Sequence, residues 1–194
     1  MVGITYEEFL TFGENHNGKY YEAIDRQVYE MASPSTEHQQ VSNRLARIFD
    51  SYLVEEKCRL FVAPTDVFLG DDVVVPDLCI VCDEAKVNSR GIYGAPDLIV
   101  EIVSKSTDKR DLQLKRDLYL KNFVKEYWIV YPLDGPVIIN RLDDDQYIQS
   151  IHVTSDVVIS SLFPDLEVNL SFVFGVEKDK AKFRDYLIDI LKRS

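Results

Sequence analysis

The chain has 194 residues, 46% of them hydrophobic, and a net charge of −11. That apolar fraction is enough for a sizeable core and excludes intrinsic disorder. No run of 18 apolar residues occurs, and MVGITYEEFL lacks a basic-then-apolar leader, so neither a membrane span nor a secretory signal is expected. In chain order, residues 5–13 are expected as a short helix with Thr5 as its cap. Residues 19–24 and 28–32 read as a hairpin about Asp25-Arg26. Val41, Leu45, Ile48, Phe49, Tyr52 and Leu53 form a 3.6-residue stripe, which predicts a helix over 36–55 capped by Ser35. Residues 60–69 and 73–81 each read as a strand, the second interrupted at Pro76-Asp77. Residues 98–103 are apolar without alternation, as in a sheet covered on both faces. A helix over 107–122 and a strand over 127–131 follow, which predicts a right-handed βαβ crossover. Residues 137–140, 147–153 and 157–159 read as more antiparallel strands. Phe183, Leu187, Ile190 and Leu191 mark a closing helix. The expectation is one α/β domain over 1–194, a mixed β-sheet flanked by helices.

Two acids stand where apolar residues belong, Asp77 and Glu101. A carboxylate on a buried strand is costly unless it is paired or holds a metal. If their strands are neighbours, both side chains can converge on one hard cation, which prefers oxygen ligands. The backbone carbonyl of Ile102 would be a third ligand. A cationic side chain usually completes such a site by balancing the charge that develops on a phosphate. Lys105 lies about 13 Å along the strand from Glu101, too far to serve. Lys115 is better placed. Glu101 lies about 10 Å from the strand end at Ser104, and Lys115 lies about 10 Å along the helix from Asp108, so the two fall level. Leu112, Lys115 and Tyr119 share a helix face, which points Lys115 inward. Tyr119 and Trp128 read as packing residues, and Asp97 repeats the Pro-Asp pattern too close to Glu101 to come from a different strand.

The net charge argues against a protein whose whole surface meets phosphate. Its distribution is uneven, because residues 105–125 carry seven basic and three acidic side chains. That segment is either a local phosphate-facing patch or a solvated helix face. The three cysteines suit a reducing cytosol better than a disulfide framework. Cys79-x-x-Cys82 has no second pair, and residues three apart on a strand face opposite sides, so both read as small core residues.

Pro76-Asp77, then 23 residues, then Glu101 with a lysine nearby, resembles the PD-(D/E)XK nuclease superfamily. The segments YYEAIDRQVYEMASPSTEHQQV, VVVPDLCIV and GAPDLIVEIVSKSTDKRDLQLKRDLYLKNFVKEYWIVYP are similar to a large bacterial family of restriction-endonuclease-like proteins within it. The resemblance covers residues 5–135. It implies a restriction-endonuclease-like fold and hydrolysis of DNA that depends on Mg²⁺ or Mn²⁺. The motif acids fall on Asp77 and Glu101. The superfamily lysine follows the acid by two residues, where this chain has Val103. The bacterial family takes its lysine from the following helix, which matches Lys115. The resemblance also draws in Glu22 and His38. The expected metal ligands are therefore Asp77, Glu101 and the carbonyl of Ile102, in a cytoplasmic protein with DNA as its partner. Symmetric pairs are the commonest assembly, so a homodimer is compatible with this reading. A noncatalytic DNA-binding or protein-interaction module on the same fold is the rival, favoured by Val103 and the acidic balance.

Overall fold

The computed structural model describes residues 8–9, 19–54, 56–103, 109–133, 135–176 and 188. The helices expected over 5–13 and 183–191 fall largely outside them. In chain order the elements are β1 (Tyr21–Ile24), β2 (Gln27–Glu30), α1 (Thr36–Leu53), β3 (Arg59–Val62), β4 (Val67–Leu69), β5 (Asp72–Val74), β6 (Leu78–Val81), β7 (Val87–Asn88), β8 (Gly91–Tyr93), β9 (Leu98–Ile102), α2 (Lys109–Lys121), β10 (Glu126–Val130), β11 (Val137–Asp143), β12 (Gln146–His152), β13 (Val157–Ile159), β14 (Glu167–Asn169) and α3 (Leu170–Phe174). The mixed α/β class expected from the sequence is what the structure shows.

Two six-stranded sheets carry the fold, ordered β2-β1-β5-β4-β8-β7 and β12-β11-β10-β9-β6-β3. In the second sheet β9 and β10 run parallel on either side of α2 in sequence, the βαβ unit that the pattern predicts. Both strands are buried at every position, as unbroken apolar runs require. α1 covers one face of this sheet. Leu45, Ile48 and Phe49 are fully buried there against Leu78, Leu98, Val100 and Trp128, each burial worth roughly 1.5–3 kcal/mol. α2 covers the other face, where Leu118 and Tyr119 meet Cys79, Ile99, Tyr127 and Ile129. Ile24, Val67, Val74 and Ile92 of the first sheet join this second cluster, so the two sheets close over one another beside α2.

The hairpin of β1 and β2 turns at Asp25 and Arg26, both with positive φ, as a tight two-residue connection demands. Ser35 caps α1, accepting from the amide of His38.

Two expectations need correction. Residues 60–69 are not one strand, and neither are residues 73–81. Each splits into two strands that belong to different sheets, β3 with β4 and β5 with β6. The breaks fall at Pro64 and Pro76, where proline has no amide to give a ladder. Cys82 is also not a simple core residue, because it is disulfide-bonded to Cys58. β3 and β6 are antiparallel with Arg59 opposite Val81, so the next pair outward, 58 and 82, falls face to face. The partner of Cys82 lies across the ladder rather than along it. Cys79 is free and buried, as expected.

Candidate active site

The site lies where β1, α1, the entry to β6, β9 and α2 meet. Asp77 sits just before β6 and Glu101 near the end of β9, an inner strand flanked by β10 and β6. The two acids are joined through the backbone, since the amide of Ile102 donates to Asp77 Oδ2 over 2.7 Å. The sequence requirement that the two segments meet is satisfied.

Glu101 faces α2 and is 8% exposed. Its Oε1 accepts from Lys115 Nζ at 3.0 Å and from Tyr119 Oη at 2.6 Å. The helix folds back along the strand as the rise-per-residue argument predicts, and brings Lys115 level with Glu101. Lys115 Nζ also donates to Glu22 Oε1 at 2.8 Å. Glu22 projects from β1 into the gap between the sheets, held by the amide of Val75 at 2.9 Å. His38, in the first turn of α1, places Nε2 3.1 Å from the Asp77 carboxylate. Its Nδ1 is buried with no hydrogen-bond partner among the described residues. All five side chains named from the sequence, Glu22, His38, Asp77, Glu101 and Lys115, therefore stand in one cluster. Tyr119 joins them through its hydroxyl, although the sequence argument assigns it to packing. Its i, i+4 spacing from Lys115 is the signal that places it there. The ring still packs, edge-on to Tyr127 with centroids 4.9 Å apart.

The electrostatics follow from burial. Burial pushes the Glu101 carboxyl up to about 7, and the neighbouring Glu22 and Asp77 push the same way while Lys115 and Tyr119 pull it back. Burial works against the charge on Lys115, but Glu101 and Glu22 outweigh it and hold the amine protonated above its ordinary range. Burial likewise opposes a charge on His38, and the Asp77 hydrogen bond and charge overcome it, so its pKa is raised. Tyr119 is pushed far up by burial and by Glu101, and remains a neutral donor.

Three carboxylates thus share one lysine and one histidine. Among the described residues no group of three or more His, Cys, Asp or Glu side chains is arranged to hold a metal. A cation here would take Asp77 and Glu101, with oxygen from the Ile102 carbonyl and solvent. That all-oxygen set suits a hard divalent ion, and the surplus of carboxylate over ammonium is the charge such an ion would balance. The residues present fit the group.

Two other buried acids are accounted for structurally. Asp97 accepts from the amide of Cys82 at 2.8 Å and from Lys125 at 2.7 Å. Glu126 is fully buried on the opposite face of the sheet, bound by Trp128 Nε1 at 2.6 Å, Ser161 Oγ at 2.6 Å and the Ser161 amide at 2.8 Å.

This fold and this arrangement of acids define a protein of the restriction-endonuclease-like, PD-(D/E)XK class. Residues 6–171 match the family Uma2, described as "Putative restriction endonuclease", and the chain belongs to that family. The chain is similar to an "Uncharacterized protein slr1290" of Synechocystis, with 28% identity over 142 residues, 72% of this chain and 74% of that one. It also shares its fold with the crystal structure of "a putative nuclease belonging to DUF820" from Anabaena variabilis, at a TM-score of 0.76 and 19% identity, covering 89% of this chain and 98% of the other. Among the described residues no helix is long and apolar enough to cross a membrane.

Proposed function

We propose that this protein is a metal-dependent endonuclease that hydrolyses phosphodiester bonds in DNA. The reading is carried by one observation: Asp77 and Glu101, from separate segments, are linked through the amide of Ile102, with Lys115 3.0 Å from Glu101. Asp77, Glu101 and the Ile102 carbonyl would hold Mg²⁺ or Mn²⁺. Such an ion polarises the scissile phosphate and lowers the pKa of an attacking water when bound. The chain's own groups do the rest. Lys115 keeps its proton and offers a fixed positive charge to the developing phosphate oxyanion. Glu22 aims that ammonium, and Tyr119 fixes the rotamer of Glu101. His38 holds the Asp77 carboxylate, its Nε2 sharing Oδ2 with the amide of Ile102. The basic residues of α2 would steer the DNA backbone, with affinity falling as salt rises.

The test is nicking of supercoiled plasmid with Mg²⁺, Mn²⁺ or chelator, comparing the wild type with an Asp77→Ala, Glu101→Ala double variant. Cutting by the wild type with metal alone is the expected result. Equal cutting by both proteins would remove the site. Metal-independent binding without cutting would favour a noncatalytic DNA-binding module, the reading that Val103 and the charge of −11 favour.

A further inference from the structure

β3 and β4 part into different sheets, and a cleft of about 670 Å³ lies beside the segment that joins them. That size is typical of a small-molecule site. Phe61 of β3, Tyr20 just before β1, Asp66 just before β4 and Arg90 between β7 and β8 line it. Tyr20 is 54% exposed. Among the described residues neither its ring nor that of Phe61 stacks on another ring. The backbone of Asp66 is held firmly. Its carbonyl accepts from the amide of Ile92 at 2.9 Å, and a Cβ at Gly91 would collide with the same carbonyl. Its half-buried carboxylate has no hydrogen bond or ion pair among the described residues. Burial alone pushes that carboxyl up, and no cation of the chain pulls it back. Such a group costs free energy until a donor meets it. The Arg90 guanidinium is likewise unpaired among the described residues. Lys19, the other cation lining the cleft, is taken by Glu30 at 2.6 Å.

These groups are complementary to a nucleotide. Aromatic faces stack a base, a carboxylate accepts from its Watson–Crick edge, and arginine holds phosphate. The bases differ in what that edge offers. Guanine presents two N–H donors side by side, N1–H and N2–H, which match the two oxygens of one carboxylate. Adenine and cytosine set a donor beside an acceptor, and thymine flanks its single donor with acceptors. An acceptor facing Asp66 would be repelled. We propose that this cleft binds a guanine nucleotide, with the base against Tyr20 and Phe61, its Watson–Crick edge on the Asp66 carboxylate and its phosphate on Arg90.

A base-paired guanine has that edge occupied, so the occupant is either a free nucleotide or an unpaired guanine of a DNA strand. The cleft adjoins the candidate active site. The amide of Ala63 donates to the carbonyl of Asp77 at 3.0 Å. Asp66 lies three residues further on, at most about 10 Å along the chain. Drawing the guanine from the strand being cut rests on the nuclease reading; the chemistry of the cleft does not.

Equilibrium binding in chelator tests the cleft, with GMP, AMP and a thymidine oligomer with or without one central guanine as probes. The wild type is expected to favour GMP over AMP by about tenfold or more. Asp66→Asn sets a donor beside an acceptor, the pattern that adenine complements, so this variant should favour AMP. A merely structural role for Asp66 would not reverse the preference. Arg90→Ala should weaken GMP and AMP alike, flatten their salt dependence and leave guanosine unchanged. A guanine effect with GMP alone assigns a free nucleotide, and one in the oligomer assigns the DNA strand. No guanine effect with either probe, or a guanine preference that Asp66→Asn leaves intact, would overturn the proposal. Plasmid cutting with Mn²⁺ by a wild type that shows no guanine preference would sink the cleft and spare the nuclease reading. Guanine-selective binding by a wild type that never cuts would do the reverse.

Discussion

The amide of Ile102 donates to Asp77 Oδ2 over 2.7 Å, so the residue after one acid clamps the other. The two segments are antiparallel neighbours, with Leu78 of β6 opposite Val100 of β9. That ladder brings Asp77 to the end of β9 and turns its carboxylate toward the backbone there.

Replacing Asp77 separates structure from metal binding. Asp77→Ala leaves the Ile102 amide and His38 without an acceptor, at a cost of about 1–3 kcal/mol in urea unfolding. Asp77→Asn keeps an oxygen for the Ile102 amide and should unfold close to the wild type. Both variants are expected to lose the rise in melting temperature that Mn²⁺ gives the wild type, since an ion bound only by the folded form stabilises it.

Lys115→Met removes the cation that Glu22 and Glu101 share. Breaking a buried ion pair from one side typically costs 3–5 kcal/mol, roughly the loss expected at pH 8. The deficit should narrow toward pH 5, because Glu101 then takes up a proton and no longer needs the ammonium. Denaturant midpoints at the two pH values measure this, and a deficit independent of pH would contradict it.

Glu101 sets a pH dependence of stability in the metal-free protein. Its pKa is 4.5 ordinarily and about 7 in the folded chain, raised by burial. A group raised on folding gives stability that is fully present below pH 4.5 and lost as pH rises through 7. His38, also raised, from 6.5, acts in the same direction at somewhat higher pH. Glu101→Gln removes the first contribution, so the variant should gain melting temperature relative to the wild type between pH 5 and pH 8. Mn²⁺ should reverse the trend in the wild type alone, because the ion requires the ionised carboxylate.

The Cys58–Cys82 disulfide closes a loop with a sequence separation of 24. Loop entropy puts its stabilisation at roughly 3 kcal/mol. Reductant should lower the melting temperature of the wild type and leave that of Cys58→Ser unchanged. Thiol titration of the unfolded, unreduced chain should find one thiol, that of Cys79.

Much of the candidate site can be read along the chain. Asp77 and Glu101 stand out because each interrupts an apolar run, where a free carboxylate is costly. Lys115 follows from rise per residue and from the helix face it shares with Leu112 and Tyr119, both local quantities. Glu22 and His38 follow from family resemblance, since neither breaks a local pattern. The hydroxyl of Tyr119 is different: spacing places the ring on the inward face, but only the packing of α2 on β9 decides that the oxygen lands 2.6 Å from Glu101. The resemblance leads to the fold class, and the periodicities lead to α1, α2 and the crossover.

Local pattern determined what each segment buries and which acids pay a penalty for it, because periodicity and burial cost act between near neighbours in the chain. Pairing across strands was decided by the tertiary structure. It sorted the strands into two sheets at Pro64 and Pro76, set Cys58 opposite Cys82, buried Glu126 behind Trp128 and left β12 at an edge. Those partners lie tens of residues apart, and register is set only when the whole sheet packs.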